Sequence, residues 1–90
     1  MSEGKTWFLY IVECSDKTLY TGITNNLDKR ISQHNNGSGA KYTKGRSPVK
    51  LLYTESFNNR SEASKREYQI KQLTKKEKHK LINLGENYGK

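Results

Sequence analysis

Trp7-Phe8-Leu9-Tyr10-Ile11-Val12-Glu13-Cys14, then Ser15-Asp16-Lys17, then Thr18-Leu19-Tyr20-Thr21-Gly22-Ile23-Thr24 decide how this chain folds. The first run is rich in aromatic and β-branched residues, which suit a pleated, half-buried surface. The next three residues have turn chemistry, and the last seven read as the returning strand. A three-residue loop sets the register: Cys14 faces Thr18, Val12 faces Tyr20 and Tyr10 faces Gly22. Directly opposed residues share a side of a sheet, so Tyr10 and Tyr20 project from the same face. A slip of one residue would separate them. Glycine opposite Tyr10 leaves room either for that ring or for a closely approaching phosphate.

Working outward, Asn25 or Asn26 can cap a helix running to about Asn35, and Asn36-Gly37 suits a left-handed C-terminal turn. Leu27 and Ile31 share its buried stripe, with Arg30 and His34 forming a second i,i+4 pair at the border of that stripe. Ser38 to Pro48 is a long loop, and long loops in compact domains are often functional. Residues 49–57 read as a third strand with Val49, Leu51, Tyr53 and Phe57 on one face. Asn59-Arg60-Ser61-Glu62 opens a second helix with a capping box, and Thr74-Lys75-Lys76-Glu77 repeats the signal for a third that closes near Gly85. The expected order is β-β-α-β-α-α in a single domain over residues 1–85, with residues 86–90 as a loose tail.

Ninety residues make one domain that buries only about 60% of its unfolded surface. A shallow surface cleft is therefore expected, which suits a polymer better than a small molecule. A net charge of +8 and a pI near 9.7 favour an anionic partner, either nucleic acid or an acidic membrane surface. No apolar run approaches the roughly 20 residues that span a bilayer, and no cleavable signal pattern opens the chain. Cys14, the single cysteine, reads as a small core residue, and a cytoplasmic location follows. Lys41, Lys44, Arg46 and Lys50 follow one another without an intervening acid in a Gly-rich loop that also holds Tyr42. Cations with an aromatic can hold phosphates and stack a base. The Lys75–Lys80 run reads instead as a solvated helix face.

Glu67 puts a carboxylate on the helical stripe Ala63, Glu67, Ile70, where the pattern asks for an apolar residue. An i,i+4 salt bridge to Lys71 explains it as well as a functional role does. Taken singly, Arg30 is a boundary arginine laying its stem on apolar surface, His34 a surface histidine, and each tyrosine a core ring with its hydroxyl at the rim. Tyrosines, cations and one carboxylate together are the parts of a one-metal phosphodiesterase site.

In this setting the chain resembles the GIY-YIG nuclease superfamily over roughly residues 7–82. Phe8-Leu9-Tyr10 stands in place of the first signature tripeptide, keeping its tyrosine, and Tyr20-Thr21-Gly22 in place of the second, keeping tyrosine and glycine. Arg30, His34 and Glu67 match the family's helix arginine, the histidine one turn later and the metal-binding glutamate. Leu19-Tyr20-Thr21-Gly22-Ile23-Thr24 and Gly39-Ala40-Lys41-Tyr42-Thr43 are similar to stretches of its small stand-alone bacterial members.

The resemblance implies an α+β fold with a three-stranded antiparallel sheet packed by three helices. It implies metal-dependent hydrolysis of DNA phosphodiesters with one Mg²⁺ or Mn²⁺ held by Glu67, and a role in DNA repair, recombination or processing. Tyr10 would act as general base or orient the water, with Tyr20 helping to place water and phosphate. Arg30 would stabilise developing charge, and His34 would share proton transfer or bind phosphate. A tyrosine base has an unperturbed pKa of about 10, and nearby cations such as Arg30 favour its phenolate. Lys41, Tyr42, Lys44 and Arg46 are the candidate nucleic-acid contacts. The expected partner is DNA, with RNA also open, no membrane and a monomeric state. Two other classes stand beside the nuclease: a nucleic-acid-binding module that cleaves nothing, and an adaptor for an acidic protein.

Overall fold

The computed structural model describes residues 6–37 and 45–88, with side chains described as far as Leu84. Three strands and three helices follow in the expected order: β1 Trp7–Glu13, β2 Leu19–Thr24, α1 Leu27–Asn35, β3 Lys50–Phe57, α2 Arg60–Lys71 and α3 Lys75–Tyr88. The sheet is antiparallel with spatial order β2-β1-β3.

Leu9, Tyr10, Ile11 and Val12 are all fully buried, because β1 is the central strand and is covered on both sides. Leu9 and Ile11 pack with Ile70 and Ile82 from α2 and α3, whereas Tyr10 and Val12 pack with Cys14, Val49 and the α1 residues Leu27 and Ile31. Each fully buried Leu or Ile is worth about 1.5–3 kcal/mol, so these two clusters hold the layers together.

The hairpin has the expected register, with Tyr10 opposite Gly22 and Val12 opposite Tyr20. Its loop is closed by backbone bonds from Lys17 N to the Cys14 carbonyl at 2.9 Å and from Cys14 N to the Thr18 carbonyl at 2.8 Å. Lys17 takes the left-handed conformation, φ 73°, that a three-residue hairpin loop needs at its last position. Asp16 accepts from the Thr18 hydroxyl and amide, which holds its carboxyl below the usual carboxylate range, and it also pairs with Arg46.

The helix starts follow the cap residues. Asn26 accepts from Lys29 N, Asn59 from Glu62 N, and Thr74 exchanges two bonds with Glu77. Gly37, φ 86°, ends α1. Just before that end, the Asn35 side chain grips the backbone of Val49, accepting from its amide at 2.6 Å and donating to its carbonyl. This fixes the last turn of α1, and therefore His34, against the start of β3. On the other layer, Arg66 donates to both carboxylate oxygens of Glu55 at 2.9 and 3.0 Å, tying α2 to β3. The Tyr53 hydroxyl also donates to Glu55, and burial together with that carboxylate pushes the phenol up to about 12.

Two expectations need correction. Val49 and Leu51 do not share a face with Tyr53 and Phe57. The pairing slips between Ile11, opposite Tyr53, and Val12, opposite Leu51, leaving Leu52 as an extra residue. That bulge reverses the alternation, so Val49 joins the Tyr10 cluster, Tyr53 and Phe57 join the Leu9 cluster, and Leu51 is exposed. The third helix also continues beyond Gly85 to Tyr88, since an isolated glycine costs a helix only about 1 kcal/mol.

Thr21 is buried on the opposite side of β2 from Tyr20, and its hydroxyl has no hydrogen-bond partner among the described residues. Valine has the same shape without the stranded hydroxyl. Thr21→Val should therefore stabilise the fold by about 1 kcal/mol, read as a rise in the denaturant midpoint at unchanged slope. A fall in stability would mean the hydroxyl is satisfied.

Candidate active site at the edge strand

Tyr10 leaves the central strand and lies across Gly22 of edge strand β2. A Cβ at position 22 would sit 2.5 Å from the Tyr10 hydroxyl oxygen, so glycine makes room for the ring. Beyond Gly22 the hydroxyl meets α1, whose i,i+4 spacing presents Arg30 and His34 on one face. Arg30 Nε donates to the Tyr10 oxygen at 3.3 Å, and His34 Nε2 lies 2.9 Å from the same oxygen. The ring of Tyr20 stands beside both, its centroid 6.4 Å from that of Tyr10 and 5.4 Å from that of His34. Arg30 is steadied by a second bond, from Nη1 to Gln33 Oε1 at 3.2 Å.

The charges fix the direction of one of these bonds. Arg30 has only donors, so the Tyr10 oxygen accepts from it. The His34 bond runs from the phenol to Nε2 when a neutral imidazole carries its proton on Nδ1, and from Nε2 to the phenol otherwise. Burial, assisted by the Arg30 charge, lowers the His34 pKa and favours the neutral imidazole. Tyr10 is raised above 10, because burial outweighs the hydrogen bond and charge of Arg30 and is reinforced by Tyr20 and Glu67. The expected effect of Arg30 is real in sign but is overridden by desolvation. Tyr10 is accordingly a neutral phenol beside a neutral histidine.

Glu67 stands on the opposite layer. Its helix, α2, packs against β1 and β2, with Ala63 and Ile70 buried, and the Glu67 charge is the smallest of the influences that raise Tyr10. The side chain is partly exposed and pairs with Lys71 at 3.1 Å, the i,i+4 bridge that accounts for it structurally. Among the described residues no group of three or more His, Cys, Asp or Glu is assembled that could cage a cation. A lone, partly exposed carboxylate fits an ion such as Mg²⁺, which commonly takes one or two carboxylates and completes its shell with water and phosphate oxygens. It does not fit a cation that demands an all-protein cage.

The five residues do not all line an open cleft as expected. Tyr10 and His34 are fully buried, while Tyr20, Arg30 and Glu67 are partly exposed. His34 is not the surface histidine its helix position suggests, because Tyr10 and Tyr20 close over its ring. Lys41, Tyr42 and Lys44 lie outside the described residues. Arg46 pairs with Asp16 at the hairpin turn, and its carbonyl accepts from Ser15 N at 2.8 Å.

A cleft of about 350 Å³, unforeseen from the sequence, lies beside the cluster, lined in part by Trp7, Thr24, Asn26, Lys29, Arg30 and Arg60. Arg30 belongs to both places. The adjacent Lys29-Arg30 pair was the available signal, but the cations converge only after folding.

Comparison with known proteins agrees with this fold. The GIY-YIG catalytic domain matches residues 6–81. A UPF0213 protein of Clostridium perfringens is 58% identical over 87 residues, covering 92% of this chain and 94% of that protein. One from Halobacterium salinarum is 55% identical over 74 residues, covering 82% and 96%. The solution NMR structure of a UPF0213 protein from Bacillus halodurans superposes with a TM-score of 0.60 at 43% identity, covering 92% of this chain and 89% of that one. The chain belongs to the GIY-YIG catalytic-domain family, whose members are generally nucleases, and within it groups with the UPF0213 proteins.

Proposed function

We propose that the protein is a divalent-metal-dependent endonuclease that hydrolyses DNA phosphodiester bonds. The observation that carries this reading is the Tyr10 hydroxyl held between Arg30 Nε, which donates to it at 3.3 Å, and His34 Nε2 at 2.9 Å. With the His34 proton on Nδ1, the hydroxyl has a proton exit on one side and a positive charge on the other, as a general base needs.

In the proposed reaction Tyr10, fully buried in the free protein, takes a proton from an attacking water admitted beside the partly exposed Tyr20 and Arg30, while passing its own to His34. The relay removes the difficulty of a phenol whose pKa is raised, since free phenolate need not accumulate. Arg30 offsets the charge that develops on the phenolic oxygen and on the phosphate. Tyr20, partly exposed beside both rings, orients water and phosphate. Glu67 would hold one Mg²⁺ or Mn²⁺, which when bound supplies Lewis-acid polarisation of the phosphate and neutralises the leaving oxygen. Lys41, Tyr42, Lys44 and Arg46 are proposed to contact the nucleic acid. A role in DNA repair, recombination or processing and a cytoplasmic site of action belong to the same proposal; among the described residues no helix is long and apolar enough to cross a membrane.

The test is a cleavage panel of labelled linear, flapped and branched DNA, with RNA alongside, in Mg²⁺, Mn²⁺ and chelator. Metal-dependent nicking of any DNA member supports the reading. Tight, salt-sensitive DNA binding without turnover would favour a binding module instead.

The relay also fixes a pH dependence. His34 works as the neutral base, and its pKa is lowered from 6.5 by burial and Arg30. Neutral imidazole therefore persists below pH 6.5, and activity should fall only as pH drops through that lowered value. Tyr10, raised above 10, should impose no loss at neutral or mildly alkaline pH. Single-turnover rates against pH should give an acid limb with its midpoint below 6.5. A midpoint above 6.5 would contradict the relay.

A further inference from the structure

The cleft beside the cluster lies where β1 begins, β2 ends and both α1 and α2 start. Lys29, Arg30 and Arg60 bring three positive charges to it, whereas no Asp or Glu is among its lining residues. Among the described residues neither Lys29 nor Arg60 makes an ion pair. Arg60 instead rests over the half-buried indole of Trp7, its guanidinium carbon 5.6 Å from the ring centroid. That contact holds a flexible cation in a fixed place at small entropic cost. The amide side chains of Asn25, Asn26 and Gln33 add donors and acceptors, and the indole adds a flat apolar surface.

This combination has a chemical meaning. Convergent cations select an anion, neutral amides read polar edges, and an aromatic plane accepts a base or sugar. A volume of about 350 Å³ is at the low end for ligand sites, near 300–1,000 Å³, which suits one nucleotide unit and not a duplex. Arg30 supplies the direction, because it lines this cleft and also bonds the Tyr10 hydroxyl. A strand whose phosphate lies at Tyr10 would therefore carry its neighbouring nucleotide into the cleft.

We propose that the cleft formed by Trp7, Lys29 and Arg60 is a nucleotide subsite for the DNA residue flanking the phosphate at Tyr10. Lys29 and Arg60 hold the flanking phosphate, and Trp7 carries the base or sugar. This rests on the nuclease reading for its register on the strand. It shares only Arg30 with the five residues of the cluster, and it makes Lys29 and Arg60 binding residues with no part in the chemistry.

Trp7 is the only tryptophan, so its emission reports on this place alone. A short oligothymidylate, titrated into the full chain without metal, should quench that emission saturably, and inorganic phosphate at equal charge should not. In Lys29→Ala/Arg60→Ala, affinity measured by anisotropy of the labelled oligonucleotide should fall. Its salt slope should become shallower by up to about 1.4, or about 0.7 for each lost single-strand contact. For whatever DNA the wild type cleaves, the double variant should raise KM and leave kcat within about threefold. Oligonucleotide binding that leaves Trp7 emission unchanged, or a double variant with an unaltered salt slope, overturns the subsite. An adventitious anion site would show equal quenching by phosphate, which also overturns it. Cleavage by a wild type whose Trp7 is silent would remove the subsite and leave the nuclease standing. Quenching without cleavage under any metal would do the reverse.

Discussion

Gly22→Ala should lower cleavage by about 100-fold or more while leaving the chain folded. The added methyl carbon would lie 2.5 Å from the Tyr10 hydroxyl oxygen and 2.7 Å from the ring carbon that bears it. Such distances are well inside van der Waals contact, so one side must yield. Position 22 is backbone in a paired strand, and therefore the tyrosine ring moves. Its hydroxyl then leaves Arg30 and His34, and a displacement of about 1 Å at a reacting group costs on the order of 10²-fold. The stability cost should be about 1–3 kcal/mol, the usual range for overpacking a filled site. The pH profile separates displacement from unfolding. A folded variant that has lost the relay should lose the acid limb assigned to His34 along with its rate. Cleavage within a few fold of wild type would show that the Tyr10 position is not critical.

The hairpin that builds this contact was legible because each of its parts is local. Ser15-Asp16-Lys17 is long enough for only one simple loop, the loop fixes the register, and the register sets Gly22 against Tyr10. The caps Asn26, Asn59 and Thr74 with Glu77 are equally local, since each acts within three residues. The α1 pair, Arg30 and His34, was found through helical spacing.

What escaped the sequence reading depends on contacts between distant segments. The bulge at Leu52 has no sequence marker, and the regular alternation of Val49, Leu51 and Tyr53 argued for a single face. The burial of His34 is decided by two rings rising from the sheet face that α1 covers, residues 14 and 24 positions away. The rise in the Tyr10 pKa is a competition between desolvation and Arg30, whose sign depends on how deep the hydroxyl lies. The cationic cleft escaped because Trp7, Lys29 and Arg60 belong to three separate elements. Trp7 read simply as a strand aromatic and Arg60 as part of a capping box, and neither reading pointed to a cleft.

Glu67→Gln is the second change expected to have a large effect, and it separates two readings that the structure holds together. The Lys71 bridge is present, at 3.1 Å, with the lysine half exposed. An exposed i,i+4 pair contributes about 0.3–0.5 kcal/mol, so its loss alone would hardly be noticed. Yet the same carboxylate is among the lesser causes that raise the Tyr10 phenol. Glutamine keeps the shape and the hydrogen-bonding capacity but lacks the charge that a divalent cation requires. A bridge partner lost to glutamine leaves catalysis intact, whereas a lost cation ligand removes nearly all of it.

Initial nicking rates of the wild type and of Glu67→Gln, measured against Mg²⁺ and Mn²⁺ concentration on one labelled DNA, test the central claim most directly. Thermal midpoints and DNA affinity are taken on the same preparations. The wild type should show saturable metal activation, and the variant should melt within about 1 °C, bind DNA as well, and show nearly no metal-dependent cleavage. Wild-type rates in Glu67→Gln, or cleavage by the wild type that persists undiminished in chelator, would contradict that claim.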